Sequence, residues 1–542
     1  MNPSFHIIDF VIVGIYAILL VGVGLWVSRT KKGHTKTAED YFLASKALPW
    51  WAIGSSLIAA NISAEQFIGM SGSGFAGGLA IASYEFMAAL TLIIVGKFFL
   101  PIFIKQGIYT IPEFVEKRFS TNLKTILAVF WIALFVFVNL TSVLFLGGKA
   151  IDTIVGVGDG SMIVPAIIAL AIFAAAYSLY GGLSAVAWTD VIQVALLVIG
   201  GIITTLIALH YVTPDGGILN GISHIADAAS DKFDMVLSRD NKEFNNLPWT
   251  ALIIGLWIPN FYYWGFNQYI IQRTLAAKSL TEAQRGIAFA AFLKMLIPFI
   301  VVIPGIVAWV MYSEDLYGAR SAFEIAGSTA LNNDNAYPWL ISTFIPVGVK
   351  GLVLAALAAA IVSSLASMLN STSTIFTMDI YKPYINREAS QTKLVNVGRL
   401  TAGIALIIAV CLAPLLGGID QMFQYIQEYT GLVSPGILAV FLMGLFWKKA
   451  TNKGAIWGVL CSIPIALIFK LLPLEMPFMD QMFYATLLTI VVIFMVSLSS
   501  NPADDDPKAI KLTADMFKTD KVFNICAYII CILLVVIYTA FF

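Results

Sequence analysis

Charge is what this sequence has least of. Charged residues make up 12% of its 542 positions, about half the share found in soluble domains. Lys+Arg and Asp+Glu balance at 32 each, so no net basic field draws nucleic acid and no acidic excess marks a solvating tail. Cysteine is nearly absent as well. Cys411, Cys461, Cys526 and Cys531 stand inside apolar runs with no CxxC spacing and no histidine nearby, which leaves them as small packing residues. His6, His34, His210 and His224 are scattered and never take a metal-ligand spacing. With no Ser/His/Asp, Cys/His or HExxH arrangement either, the chain does not read as an enzyme.

What fills the space is apolar. Hydrophobic residues account for 59% of the chain and run on continuously, which excludes a transmembrane barrel of short alternating strands and identifies an all-α integral membrane protein. A hydrocarbon core about 30 Å thick takes roughly 20 residues per helical crossing. On that basis spans are expected near 7–28, 49–77, 80–106, 122–150, 161–179, 185–210, 249–272, 284–312, 344–377, 394–416, 420–447, 453–471, 478–500 and 520–541, about fourteen in all. The polar-acidic start and the lack of a small-residue cleavage site make 7–28 a retained helix rather than a signal peptide.

Basic residues set orientation, because cytoplasmic loops carry their excess. With the first helix running outside to inside, the inner loops hold Arg29, Lys31, Lys32, Lys36, Lys105, Lys117, Arg118, Arg273, Lys278, Lys382, Arg387, Lys448, Lys449, Lys508 and Lys511. The outer loops hold little more than Lys232, Arg239, Lys242 and Arg320. Both termini are then expected on the extracellular or periplasmic side of a cell inner membrane. The acids of the long outer loops, Asp215, Asp227, Asp231, Asp234, Asp240, Glu314, Asp315 and Asp334, read as a solvated surface.

Ionisable groups inside spans cost at least about 2.5–3.5 kcal/mol each at the helix centre and usually face a partner or a watery path. Here they are Glu65, Glu85, Asp190 and Lys294, with Asn61, Ser63 and Gln66 around the first, Asn260, Tyr263, Asn267 and Gln268 in the seventh span, and Gln424, Gln427 and Glu428 in the eleventh. Gln66 lies about 100° from Glu65 on a helix, so the two cannot face one cavity. Pro259 removes a backbone donor and frees the carbonyl of Gly255; a broken helix and a simple kink both fit. The ninth span, AALAAAIVSSLASMLNSTSTIF, is rich in hydroxyls. Close packing through small residues explains it, and so does a cage of neutral oxygens for a hard monovalent cation such as Na⁺.

The segments SLIAANISAEQFIGMSGSG, YGGLSAVAWTDVIQ, NFYYWGFNQYIIQRTLAAKS, AALAAAIVSSLASMLNSTSTIFTMDIY and FQYIQEYTGLVSPGILAVF closely resemble the solute:sodium symporter family, and within it the bacterial members that carry galactose. The likeness runs over nearly the whole chain. It implies a leucine-transporter-type core of two inverted five-helix repeats, at 49–211 and 249–447, each opening on a broken helix. Around the core it implies an N-terminal extra helix and cytoplasmic loop at 1–48, an extracellular loop at 212–248, and three extra helices at 448–542. Five is odd, so the second repeat starts from the opposite side of the membrane.

The resemblance further implies sodium-coupled symport of a hexose, galactose or glucose, by alternating access, with no cofactor. Carried over position by position, it places Na⁺ against the carbonyls of Ala59, Ile62 and Ala360 and the hydroxyls of Ser363 and Ser364, with Asp190 on the inward ion path. The sugar would meet Asn61, Gln66, Glu85, Asn260, Lys294 and Gln427, with Tyr263 as a stacking inner gate and Met70, Tyr84 and Phe423 as the outer gate. Ala88 departs from the family, which has a sugar-contacting serine one turn after the glutamate. A sodium/amino-acid or carboxylate symporter of the same family is the alternative, since Glu85 beside Lys294 would suit an amine and a carboxylate.

Overall fold

In lipid every backbone donor and acceptor needs an internal partner, so long apolar runs fold as helices. The computed structural model describes residues 5–29, 36–156, 158–241, 243, 247–325, 331–417, 422–472, 476–500 and 506–542; Lys31, Lys32, His34, Lys242 and the first two residues of the expected span 420–447 lie outside them. Among the described residues there are two isolated β-bridges and no named strand. Among the described residues eleven helices are long and apolar enough to cross a membrane: Ile7–Val27, Glu65–Gln106, Thr121–Val155, Ile163–Gly181, Leu183–Tyr211, Leu280–Ser313, Val349–Ile385, Gln391–Leu416, Asn452–Leu471, Phe478–Ser499 and Lys521–Ala540. The pair Met422–Thr430 and Ser434–Phe446, bent by 47°, makes up to twelve.

Besides the bent pair within 420–447, two of the expected spans do not form single long helices. The span expected at 49–77 divides into Trp50–Asn61 and a helix resuming at Glu65, which continues through a corner at Gly78 to Gln106. Gly78 has φ +76°, and a Cβ there would sit 2.2 Å from the Lys232 carbonyl oxygen, so only glycine fits. The span expected at 249–272 divides into 251–266 and Gln268–Leu275.

The helix Val349–Ile385 is almost wholly buried, whereas the terminal helices Ile7–Val27 and Lys521–Ala540 show most of their apolar surface. Small side chains allow this central position: a Cβ on Gly200 of Leu183–Tyr211 would lie 2.8 Å from the Ala356 Cβ. Asp9 ties the first helix to the same element, its Oδ1 accepting from the Gly348 and Gly351 amides at 2.7 and 2.8 Å. Of the four cysteines, Cys526 is half-buried and packs against the core, Cys461 is half-buried, and Cys411 and Cys531 are exposed on their helices.

The loops sort onto two faces. On one, Tyr109 bonds Glu39, Ala38 bonds Gln391, Lys278 pairs with Leu48 through the backbone, and Arg118 meets Asp506. On the other, the Met235 amide donates to the Phe541 carbonyl and Lys149 to Asn332. The start and the end of the described chain share this second face, since Asp9 caps Val349–Ile375 there. Three charges expected in loops are buried, the first being Arg118 at the end of the helix Ile111–Arg118. Arg273 is fully buried within a helix, and Asp334 is buried with Oδ2 accepting from the Met422 amide at 3.1 Å.

Candidate functional site

The first break is written in four residues. Ile62 takes extended backbone, φ −78° and ψ 108°, and Ser63-Ala64-Glu65-Gln66 starts a new helix as a capping box. Ser63 Oγ accepts from the Glu65 amide at 3.0 Å, while Gln66 Oε1 accepts from the Ser63 amide at 2.9 Å. No proline or glycine marks the site; the S-x-x-Q pattern was the available signal. Gln66, expected to face the sugar, is thereby engaged in its own helix cap. Glu65 beside it is half-buried, and its Oε1 has no hydrogen-bond partner among the described residues.

The second break is not at Pro259. A wide turn, with the Leu256 amide donating to the Ala251 carbonyl at 2.8 Å, absorbs the proline and the helix runs on. Asn260 turns its side-chain amide back to the Leu256 carbonyl at 2.9 Å. Eight residues after the proline, Asn267 takes extended backbone, φ −78° and ψ 127°, and its carbonyl caps the next helix by accepting from Ile270 and Ile271. The two breaks therefore share nearly one backbone conformation.

Between them lies a buried polar cluster. The Lys294 ammonium pairs with Glu85 and donates to the side-chain carbonyl of Asn61, the last residue of the first half-helix. It also stands 5.2 Å from the Trp264 ring centroid. Tyr263 accepts from the Tyr269 hydroxyl at 2.7 Å and packs edge-on to Trp264 at 5.0 Å. Carboxylate, ammonium, amide and aromatic faces thus converge at one place, with donors and acceptors of the kind a polyhydroxylated ring requires.

A second cluster lies where the first half-helix ends. The last carbonyls of a helix lack intrahelical partners and carry its negative pole. Ser364 Oγ approaches those of Ala60 at 3.0 Å and Ala59 at 3.5 Å. Ile62 stands at the break itself and Ala360 one turn before Ser364, both buried. Ser363 donates instead to Asp190 Oδ1 at 2.5 Å, and Ser56 to Asp190 Oδ2 at 2.5 Å. Neutral oxygens beside a single carboxylate form a donor set for a small hard cation.

Arg273 completes this second cluster, and sequence reasoning missed it by counting it as a loop charge. It bonds the Ser56 carbonyl at 3.1 Å, the Ser56 hydroxyl at 2.7 Å, the Tyr269 carbonyl and the Ser367 hydroxyl. No local pattern marks it; only in the structure are Gln268, Gln272, Arg273 and Thr274 of the helix Gln268–Leu275 all seen to be buried.

Two of the three residues expected to gate the outer side are in direct contact. Met70, Tyr84 and Phe423 are buried, and the Tyr84 and Phe423 rings meet edge-on at 5.1 Å. Gln427 is half-buried one turn along from Phe423, while Glu428 turns away to pair with Lys470 at 3.2 Å. Ala88 is buried one turn after Glu85.

A model described as the Sodium:solute symporter family matches residues 41–462. The chain is 64% identical over 538 residues to a protein of Vibrio parahaemolyticus named "Sodium/glucose cotransporter", covering 98% of both. It is 31% identical to "Sodium/glucose cotransporter 4" of Mus musculus, covering 94% of this chain and 78% of that one. Among solved structures, a substrate-bound, outward-open Na⁺-coupled sialic acid symporter has a similar fold, with a TM-score of 0.79 at 24% identity, over 92% of this chain and all of that one.

Proposed function

The chain belongs to the sodium:solute symporter family, and on that premise we propose that it carries a hexose, galactose or glucose, into the cell together with Na⁺. Family membership makes it a multi-pass membrane transporter rather than an enzyme, with Na⁺ as co-transported ion and no cofactor. The observation that carries the sugar reading is the Glu85–Lys294–Asn61 cluster, set between two helix breaks beside Tyr263 and Trp264. The name of the Vibrio relative supports it.

In this reading Na⁺ sits against Ala59, Ile62, Ala360, Ser363 and Ser364 and leaves past Asp190. The sugar meets Asn61, Glu85, Asn260, Lys294 and Gln427, and Gln66 reaches it only by giving up its cap bond. The broken helices open two inverted five-helix repeats, 49–211 and 249–447. Counting each broken helix as one crossing, with the corner at Gly78 separating two spans, gives fourteen, with both termini outside a bacterial inner membrane. The face gathering Lys105, Lys117, Arg118, Lys278, Lys382, Lys448 and Lys508 is then cytoplasmic.

Coupling requires Na⁺ to favour the conformation that binds sugar, because a ligand shifts an equilibrium only by its differential affinity. Na⁺ at the end of the first half-helix neutralises the carbonyls next to Asn61 and so bears directly on the sugar cluster. A potential of 100 mV supplies about 2.3 kcal/mol per charge, and a tenfold Na⁺ gradient about 1.4 kcal/mol more. One Na⁺ per sugar sustains roughly several-hundred-fold accumulation.

The test is uptake of labelled galactose and of labelled glucose into proteoliposomes, with and without an inward Na⁺ gradient. Accumulation indifferent to Na⁺, or absent for both sugars, overturns the reading. The Glu85–Lys294 pair also suits the amine and carboxylate of an amino acid. Competition by proline rather than by either sugar would establish that alternative.

A further inference from the structure

The segment 331–337 belongs to a loop whose acids read as solvated surface in the sequence, yet it packs into the protein. Asp334 is 2% exposed, and its Oδ2 accepts from the Met422 amide at 3.1 Å. Met422 is the first described residue of the helix Met422–Thr430. The amides that open a helix have no partner within it, and a carboxylate is well suited to hold one. The next residue is Phe423, whose ring meets Tyr84.

The helix that resumes at Glu65 receives both ends of this contact. Gly69 and Gly72 lie three residues apart on one face of it. Gly69 seats Phe423, and a Cβ on Gly72 would fall 2.6 Å from Asp334 Oδ1 and 2.9 Å from the Asn333 carbonyl oxygen. Only glycine lets the loop approach so closely. First broken helix, loop and Met422–Thr430 thus close on one another, Gly72 against Asp334, Asp334 on Met422, Phe423 against Gly69. Tyr337 adds an edge-on contact to Phe67 at 5.1 Å, and Lys149 ties the loop to Thr121–Val155 through Asn332 Oδ1 at 3.0 Å.

We propose that Asp334 is a positioning residue for the outer gate: by holding the Met422 amide it sets Phe423 against Tyr84, and its release lets the gate open. The proposal rests on the reading of Met70, Tyr84 and Phe423 as that gate. A carboxylate suits a contact made and broken in each cycle, because it recovers its hydration when the loop lifts and the net gain from the bond is modest.

The test uses the full-length protein in nanodiscs of zwitterionic lipid, which expose both faces, with the four native cysteines replaced and one reporter introduced by Ser73→Cys. Ser73 is 4% exposed and lies about one turn beyond Met70, toward the corner at Gly78. The rate of maleimide labelling is read without Na⁺ or sugar. Asp334→Ala, which leaves the Met422 amide without this acceptor, should raise the rate severalfold. Asp334→Asn keeps an acceptor oxygen and should raise it less, and it keeps the comparison available where Asp334→Ala does not fold. A second reporter, Ser373→Cys, is buried in Val349–Ile385 and should label at one rate in all backgrounds, whereas general loosening would raise both reporters. Unchanged Ser73→Cys labelling in both Asp334 variants, an equal rise at Ser373→Cys, or as large a rise with Asp334→Asn as with Asp334→Ala overturns the proposal. Phe423→Ala separates the two readings: if it raises Ser73→Cys labelling and Asp334→Ala does not, the gate stands and the role of Asp334 falls; if neither does, the gate falls with it. Since Na⁺ and sugar are absent, failure here leaves the transport reading untouched.

Discussion

Arg273 Nη2 lies 3.6 Å from Asp190 Oδ2, and both side chains are fully buried. The pair joins the second half of the second broken helix, Gln268–Leu275, to Leu183–Tyr211, and Ser56 of the first half-helix bonds both partners. Three elements distant in sequence are thus held at one point. Removing one partner of a buried pair leaves an uncompensated charge, at a cost of about 3–5 kcal/mol. Arg273→Met should therefore destabilise the protein by that order, read as loss of folded protein after graded heating. Asp190→Asn in the same chain should restore much of the stability but not Na⁺-driven uptake. Equal stability of Arg273→Met and wild type would show that the pair does not hold these elements.

The Glu85–Lys294 pair should behave as a unit. Lys294→Met leaves Glu85 buried without its cation, and Glu85→Gln leaves the ammonium without its carboxylate. Each single change is expected to reduce sugar uptake at least about tenfold, the effect of one lost contact of about 1.4 kcal/mol. The double variant should lose less than the product of the two, since contacting residues are non-additive. Initial uptake rates over a range of sugar concentrations give the three comparisons. Strict additivity would separate the two residues and argue against one shared site.

At the helix end, Ser364→Ala removes the hydroxyl that approaches the Ala59 and Ala60 carbonyls. The expected result is a rise in the Na⁺ concentration for half-maximal uptake, with the apparent sugar affinity at saturating Na⁺ little changed. Ser367→Ala instead removes an Arg273 partner and should lower stability more than Na⁺ dependence. If Ser364→Ala leaves the Na⁺ curve where it was, the proposed ion site is misplaced.

How much of this was written in the sequence depended on whether a residue's surroundings are local or distant. Glu85 and Lys294 stood out because a charge within an apolar run has few explanations. The break at Ile62 was written locally too, in Ser63 and Gln66, yet a capping box within a long apolar stretch is easily passed over when proline and glycine are taken as the only breakers. At Pro259 the sequence left a break and a kink both open, and the structure has no break there: a wider turn accommodates the missing donor and the helix runs on past the proline. Arg273 and Asp334 were unreadable locally. Near the end of a span a basic residue is counted as a loop anchor, and only packing against Ser56 and Ser367, 217 and 94 residues away in sequence, reveals it as interior. Met70, Tyr84 and Phe423 were identified by resemblance alone, since nothing in their spacing joins residues more than 300 positions apart.

Gly69, next to Met70 and against Phe423, offers a way to test their proposed role as a gate. A Cβ at this position would fall 2.9 Å from the Phe423 Cβ and 3.0 Å from its backbone nitrogen, closer than packed atoms tolerate, so even alanine must push the two elements apart. If Met70, Tyr84 and Phe423 form the outer gate, Gly69→Ala disfavours the conformation in which they are closed and shifts the population toward one open to the outside. A cysteine introduced at Met70, in a background with the four native cysteines replaced, should then react faster with a membrane-impermeant maleimide applied from outside. The increase should be severalfold over the same cysteine with Gly69 intact. Added Na⁺ should raise the rate in the Gly69 background and have less effect in the alanine variant, where the opening is already favoured. Unchanged labelling in both would mean that the Phe423 contact does not control outer access.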